Sequence, residues 1–191
     1  MLAKHVTIRD STKRILHKKS NSFYRVISAD AQGAHGFNAS GIIFDEVHTQ
    51  PTRDLWDTLD TSTGARRQPL TFAITTAGHD RSSICWELHQ YATAVLSGAI
   101  SDPSFYPVLF AADPEDDWRS EETWRKANPL LGEAVSLDYL REQCKRAEEN
   151  PAFENTFRQL HLNQWTEQAK RIVSMIQWDK CGHEIDITQY Y

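Results

Sequence analysis

Long apolar runs and paired cysteines are both missing from this sequence. No stretch approaches the roughly 18 consecutive apolar residues that cross a bilayer, and the amino terminus lacks the apolar core of a secretory signal. The three cysteines, Cys85, Cys144 and Cys181, are widely spaced and form no C-x-x-C pair of the kind found in zinc sites. These absences argue against a membrane protein, a disulfide scaffold and a zinc module, and they predict a soluble intracellular protein with free thiols.

Charge is distributed unevenly along the chain of 191 residues, whose net charge is -5. Within residues 1 to 27, Asp10 is the single acid, whereas the remainder of the chain is acidic. This basic stretch is compatible with contact to a phosphate backbone, with a transit peptide, or with a solvated face, which we favour. Its basic residues are Lys4, Arg9, Lys13, Arg14, Lys18, Lys19 and Arg25.

The first 112 residues alternate between predicted strands and predicted helices. Helical spacing of Ile84, Leu88, Tyr91 and Val95 predicts an amphipathic helix over residues 83–97, and another helix is expected near Asp54 to Leu59. This alternation predicts an α/β fold with a mainly parallel sheet. The predicted strands are Phe23 to Ile27, Ile42 to Phe44, Leu70 to Thr75 and Tyr106 to Phe110.

Residues 113–191 have a mostly helical pattern. Ser136 is placed to cap one helix, and Asn150-Pro151 is typical of the start of another. The predicted inward faces are Leu137, Leu140, Cys144 and Ala147 in the first helix, and Phe153, Phe157 and Leu160 in the second. Tryptophans concentrate at or beyond the last α/β helix and are expected to anchor helix packing: Trp86, Trp118, Trp124, Trp165 and Trp178.

Two segments place polar side chains where predicted strands end. In GIIFDEVH, residues 41 to 48, an apolar strand stops at Asp45 and Glu46; in LTFAITTAG, residues 70 to 78, a strand runs into Thr75, Thr76 and Gly78. Ligands of open α/β sheets bind at the carboxyl ends of the strands. If the two strands are neighbours, the acids and the hydroxyls meet at one edge, which favours a nucleotide-hydrolysing core over a strand that simply enters a polar loop.

A phosphate-binding loop is not found in this sequence. The glycine-containing stretch AQGAHGFNASG, residues 31 to 41, lacks the lysine and is followed by a strand rather than a helix. It is better interpreted as a turn-rich connection.

These motifs, taken in order, resemble the large terminase subunits of tailed bacteriophages, which are DNA-packaging ATPases and nucleases. The similarity includes GIIFDEVH, RRQPLTFAITTAG (Arg66 to Gly78) and WRKANPLLG (Trp124 to Gly132). It continues through S-x-x-Y-L (Ser136 to Leu140) and F-x-x-x-x-L-N-x-W (Phe157 to Trp165). The later motifs carry no chemistry, and no generic ATPase has the WRKANPLLG segment.

The resemblance implies a role for each polar residue at the sheet edge. Asp45 corresponds to the Walker B acid that holds Mg2+, and Glu46 corresponds to the catalytic carboxylate that activates water for attack on ATP. Thr75, Thr76 and Gly78 correspond to the coupling motif, which senses the nucleotide and links hydrolysis to DNA movement. The implied partners are double-stranded DNA, the portal protein and the small terminase subunit, with a homo-oligomeric ring in the complete protein and a cytoplasmic location in an infected or lysogenic bacterial host.

The departures from the family pattern predict a middle piece of such a protein. Residues 1–112 are expected to be the carboxyl-terminal half of a P-loop-type ATPase domain, and residues 113–191 a helical linker subdomain leading toward a nuclease domain that is absent. Without a Walker A loop, the chain alone is expected not to hydrolyse ATP. Two alternatives remain: a fragment of a superfamily 2 helicase, suggested by the DEVH sequence, or a non-catalytic prophage remnant or binding module.

Overall fold

The computed structural model describes residues 4–28 and 36–166, which divide between two compact units. The first unit contains the described residues of Met1–Phe44 and Gln50–Ala73. The second contains those of Asp45–Thr49 and Ile74–Tyr191. Trp178 and Cys181 lie outside the described residues.

The basic amino-terminal stretch forms a three-stranded antiparallel sheet in the order β1 (Val6–Arg9), β2 (Arg14–His17) and β3 (Phe23–Arg25). Between β1 and β2, a 3-10 turn (Asp10–Thr12) ends at Lys13, whose φ of 49° lies in the left-handed region. Sequence analysis predicted the third strand only. Each of the first two strands is only four residues long, and Arg9, Arg14 and His17 occupy strand ends, so too few apolar residues remain to show an alternating pattern.

A parallel strand pair forms the second part of the first unit. Strand β4 (Gly41–Asp45) is followed by helix α1 (Asp54–Thr61) and then by β5 (Leu70–Ile74), which pairs with β4. The amino-terminal ends lie together, because the Leu70 N–H donates to the Ser40 carbonyl at 3.1 Å. The predicted α/β arrangement with a parallel sheet is therefore confirmed, and the two strands are neighbours, which was the condition for the acids and hydroxyls to share one sheet edge.

Burial on one face of β4 fixes that strand against the first helix. Ile42 and Phe44 are buried while Ile43 is exposed. The Phe44 ring packs against Trp56 of α1 with centroids 5.3 Å apart. The alternation of buried and exposed residues means that one face of this strand is covered and the other is open.

The second unit is mainly helical, and its helices begin where polar caps predict. Ser83 caps α2 (Ile84–Leu96) and Ser136 caps α4 (Leu137–Glu149), each accepting a hydrogen bond from a backbone N–H of the first turn. Asn150 caps α5 (Pro151–Leu162), which starts with proline. A shorter helix, α3 (Glu121–Ala127), precedes α4 and is capped by Ser120.

The core of the helical part forms around α4 and α5. Leu140, Phe157 and Leu162 are fully buried, and Phe157 packs against the rings of Trp118 and Trp124. The indole N–H of Trp124 donates to the Trp118 carbonyl at 2.8 Å, which satisfies its polar atom inside the core. Tryptophan packing between helices was the sequence expectation for this region, and for these two residues it is confirmed.

Two details of the predicted secondary structure are wrong. Residues 106–110 are not a strand, because this segment bonds to the end of α5 instead: Asn163 donates to the Phe110 carbonyl, and the Ala112 N–H donates to the Leu162 carbonyl. Leu160 is half exposed rather than inward. The buried stripe of α5 instead includes the ion pair of Glu154 and Arg158, at 2.9 Å, which an apolar pattern does not reveal.

Among the described residues, no helix combines the length and apolar character needed to cross a membrane.

Candidate active site

Asp45 and Glu46 stand where β4 ends, and all the site residues named below belong to the second unit. Both acids are exposed to solvent. Glu46 has a φ of 52°, in the left-handed region that is unfavourable for a side chain with a Cβ by roughly 1–2 kcal/mol. The reversal of chain direction is held by the Glu46 carbonyl, which accepts hydrogen bonds from the N–H and the hydroxyl of Thr49. Strained residues of this kind concentrate at functional sites.

His48 connects Glu46 to the end of the neighbouring strand. Its Nδ1 lies 3.2 Å from Glu46 Oε2 and 3.0 Å from Thr75 Oγ1, and its backbone N–H donates to the same Thr75 oxygen at 3.0 Å. The Glu46 and His48 side chains are thus within ion-pair distance. His48 is mostly buried while 55% of the Glu46 side chain is exposed, which leaves the carboxylate open to water.

The two threonines continue this polar set. The Thr75 hydroxyl donates to the Thr76 carbonyl at 2.9 Å, and Thr76 Oγ1 lies 3.5 Å from His48 Nδ1. Cys85 of α2 borders Thr75 at 3.8 Å. Burial raises the pKa of the Cys85 thiol, although the hydrogen bond with Thr75 opposes the shift. This cysteine is therefore a protonated neighbour rather than a nucleophile at neutral pH.

The segment after the threonines is held by the carboxyl end of α5. The Ala77 N–H donates to Asn163 Oδ1, and the Ala77 carbonyl accepts from Gln159 Nε2 at 2.9 Å. Asn163 ends the helix with a φ of 54°. The backbone N–H and carbonyl of the buried Ala77 thus both form hydrogen bonds with side chains that lie more than 80 positions away in sequence.

Gly78 is required by the close approach of an indole ring. A Cβ on Gly78 would lie 3.1 Å from Cζ3 of Trp165 and 3.5 Å from the His48 Cβ. Trp165 in turn packs edge-on against Trp86 with centroids 4.7 Å apart. Close packing against Trp165 therefore favours glycine at position 78, in addition to any role in flexibility.

Replacing Gly78 with alanine is expected to destabilise the protein by about 1–3 kcal/mol, the usual cost of an added methyl group in a packed site. Trp165 must move, so its fluorescence should change as well. The measurement is chemical denaturation followed by tryptophan emission. Gly64→Ala is the matched control, because the nearest atom to its Cβ would be 3.6 Å away; equal effects of the two changes would contradict this assignment.

The chemistry of these side chains suits magnesium but not the phosphates of a nucleotide. No group of three or more His, Cys, Asp or Glu residues able to hold a metal occurs in residues 4–28 and 36–166. Magnesium does not need one, since it binds through one or two carboxylates and takes its remaining ligands from water and substrate phosphates. Asp45 and Glu46 meet that requirement. A backbone cradle and lysine for the phosphates are not encoded in the sequence.

Sequence analysis named Asp45, Glu46, Thr75, Thr76 and Gly78, and the structure brings the last four together through His48 and its neighbours. Asp45 is adjacent in sequence and ends the strand. The contributions of His48, Gln159 and Asn163 were not predicted. Two features of the sequence could have indicated these residues. One is the histidine of DEVH, and the other is the L-N-x-W motif, whose Asn163 and Trp165 contact Ala77 and Gly78.

The parallel strand pair, with carboxylates at its carboxyl edge, is part of a P-loop-type α/β ATPase fold. Residues 2–94 match the family model of the terminase large subunit ATPase domain, and residues 99–188 match that of the terminase large subunit endonuclease domain. The chain belongs to the family of large terminase subunits.

Individual relatives agree with this assignment. The terminase large subunit of Enterobacteria phage HK97 is 32% identical over 180 residues, which are 93% of this chain and 34% of that protein. Protein YmfN of Escherichia coli strain K12 is 33% identical over 139 residues, 73% of this chain and 30% of that protein. The crystal structure of the HK97 bacteriophage large terminase superposes with a TM-score of 0.75 at 28% identity, covering 95% of this chain and 37% of that one.

The chain spans about a third of the length of the curated relatives it matches. The match of residues 99–188 names an endonuclease region, whereas sequence analysis expected a helical linker over residues 113–191. The boundary at residue 112 remains a prediction.

Proposed function

We propose that this chain supplies the Walker B acids and the coupling motif of a phage DNA-packaging motor, in which ATP hydrolysis drives double-stranded DNA into the capsid. The observation that carries the proposal is a continuous set of polar contacts: Glu46 lies within ion-pair distance of His48, and hydrogen bonds join His48 to Thr75 and Thr75 to Thr76. It lies at the carboxyl ends of two adjacent parallel strands, where α/β ATPases bind their ligands.

The two acids have separate roles in this proposal. Asp45 would hold magnesium, which neutralises phosphate charge when it is bound. Glu46 orients the attacking water and accepts its proton. Phosphoryl transfer depends mostly on positioning, so the left-handed backbone of Glu46 and its contact with His48 serve to aim this carboxylate.

The segment from Thr75 to Gly78, called here the threonine segment, is suited to sense whether a nucleotide is bound and to transmit that state to α5. Thr75 contacts His48, and the adjacent Ala77 is held by α5. A change at the Glu46 carboxylate can therefore reach α5 through the contact of His48 with Thr75 and through the hydrogen bonds of Ala77 with Asn163 and Gln159. We propose this path as the physical basis of coupling between hydrolysis and DNA movement.

The phosphate ligands must come from other residues of a complete motor. The side of the strand pair that includes Ile43, Leu70 and Phe72 is exposed, as expected for a sheet that extends or is covered in a larger ATPase domain. Portal protein, small terminase subunit and a homo-oligomeric ring are the proposed partners of that complete protein.

The test uses a chimera in which this chain replaces the matching region of the phage HK97 large terminase. We expect the chimera to hydrolyse ATP, and the isolated chain to show no turnover above a Glu46→Gln variant of itself. The chimera carrying Glu46→Gln controls for contaminating ATPase. Turnover by the isolated chain would contradict the proposal that the phosphate ligands lie elsewhere, and a folded but inactive chimera would contradict the proposed function.

Loss of the asparagine amide at the end of α5 is expected to release the threonine segment. In Asn163→Gly, the positive φ is retained while the hydrogen bond to the Ala77 N–H is removed. A hydrogen bond contributes about 0.5–1.5 kcal/mol, so the Ala77 amide should exchange about 2- to 13-fold faster with deuterium. Two-dimensional NMR measures this rate in the isolated chain.

Asn150→Gly is the matched control, because it removes a capping side chain from the opposite end of the same helix. It should leave Ala77 exchange unchanged. Equal acceleration in the two variants would mean that general loosening of α5, rather than the contact with Ala77, controls the segment.

A further inference from the structure

Three arginines lie side by side across the antiparallel sheet of the first unit. The strand register pairs Arg9 with Arg14, and Arg14 with Arg25. Directly opposed residues of adjacent strands project from the same face, so the three side chains form one row, called here the arginine row. With neighbouring strands roughly 4.8 Å apart, the row is about 10 Å long.

The positive charge of the arginine row is not compensated within the part of the chain that the structure describes. No ion pair involves any of its members there, and Asp10 is the single acid of residues 4–28. Arg14 Nε is buried without a hydrogen-bond partner among the described residues. Like charges on directly opposed positions of a sheet are destabilising, so a bound anion would stabilise this arrangement.

Two of the guanidinium groups are held in place by aromatic rings. Arg14 lies over Phe23 at 5.0 Å, and Arg25 lies over Phe37 at 5.6 Å. Stacking orients a guanidinium group while leaving its N–H groups free to bind a phosphate oxygen in a bidentate manner.

A cavity of about 420 Å³ adjoins the row and is lined by residues 11–14 and 25–28. Its lining adds the ammonium of Lys13 and the hydroxyls of Ser11, Thr12 and Ser28 to Arg14 and Arg25. All of these groups can donate hydrogen bonds to an anion. Among the described residues, the lining includes neither a glycine nor an acid.

We propose that the arginine row and its cavity bind the phosphate backbone of duplex DNA. A line of cations about 10 Å long spans about three backbone charges, which recur every 3.4 Å of helix axis along each strand. Nucleotide phosphates are instead typically bound by glycine-rich loops of backbone N–H groups, whereas the described lining residues offer mainly side-chain donors. Duplex DNA is also the substrate of the proposed motor, but the binding site is separate from Glu46 and can be tested without ATP.

The experiment measures binding of a fluorescent 30-base-pair duplex to this chain by anisotropy at several salt concentrations. The test variant combines Arg9→Gln, Arg14→Gln and Arg25→Gln. The control combines Lys4→Gln, Lys18→Gln and Lys19→Gln, which removes the same charge from the opposite end of the same sheet.

We expect the arginine-row variant to weaken binding at least tenfold and to reduce the slope of log affinity against log salt by about 3, roughly one per phosphate contact. The lysine control should change the slope by less than about 1. Equal loss in both variants would overturn the proposal, since only net charge would matter, and so would unchanged binding in the arginine-row variant.

Two further measurements complete the test. If the glutamine variant fails to unfold cooperatively, Arg→Lys at the same three positions replaces it; this variant keeps the charge but loses the bidentate fork, and unchanged affinity would then overturn the proposal. Titration with ATP identifies the source of the phosphate. Saturable ATP binding that the arginine-row change abolishes would overturn the assignment to DNA.

Because no ATP enters the DNA-binding experiment, its failure leaves the proposed hydrolysis site untouched. An inactive chimera would likewise leave the arginine row untouched.

Discussion

Glu46→Gln in the HK97 chimera is expected to lower ATP turnover by about 10²- to 10⁴-fold, the usual contribution of a positioned general base. Glutamine has nearly the same shape as glutamate but cannot accept the proton of the attacking water. Since Asp45 and the phosphate ligands are unchanged, binding of magnesium and ATP should persist. Single-turnover hydrolysis and fluorescent nucleotide binding, measured on the same preparation, separate the two effects.

Two controls accompany this prediction. Glu142→Gln removes an exposed carboxylate from α4 and should leave turnover unchanged. Asp45→Asn should shift the magnesium concentration needed for turnover, because this acid is assigned to the metal. Turnover that survives Glu46→Gln would show that another group activates water.

Phe157→Ala is expected to destabilise the helical part of the chain by about 3–5 kcal/mol, through lost burial and the cavity left behind. Phe157 is fully buried and packs against Trp118, Trp124 and His161. The free energy of unfolding can be measured by chemical denaturation with tryptophan emission as the signal, because Trp118 and Trp124 both contact Phe157.

Leu160→Ala is the matched control for this change, since it lies in the same helix with half of its surface exposed. Its effect should be within about 0.5 kcal/mol, as for other surface substitutions. A similar loss for both residues would contradict the observed orientation of α5.

Local patterns in the sequence were sufficient to predict several elements. The apolar run of GIIFDEVH identified β4 and the acids at its end, and Ser136 and Asn150 identified the starts of two helices. These features depend on residues close in sequence, where burial and capping follow simple rules. The order of the motifs also led to the correct family.

Features that depend on distant residues could not be predicted in the same way. Asn163 reaches Ala77 across 86 positions, and the hydrogen bonds of residues 106–112 go to α5 instead of to a sheet. The left-handed conformation of Glu46 leaves no compositional signal, since the residue that most readily adopts it is glycine. The contact of His48 with both Glu46 and Thr75 follows from that conformation and from the pairing of β4 with β5.

The measurement that tests the central claim most directly is DNA translocation by the HK97 chimera. Supplied with ATP, HK97 capsids and the small terminase subunit, the chimera is expected to render duplex DNA resistant to nuclease digestion while labelled complementary strands remain paired. Glu46→Gln should abolish this protection. Separation of the strands without protected DNA would contradict the packaging account and would favour the helicase alternative.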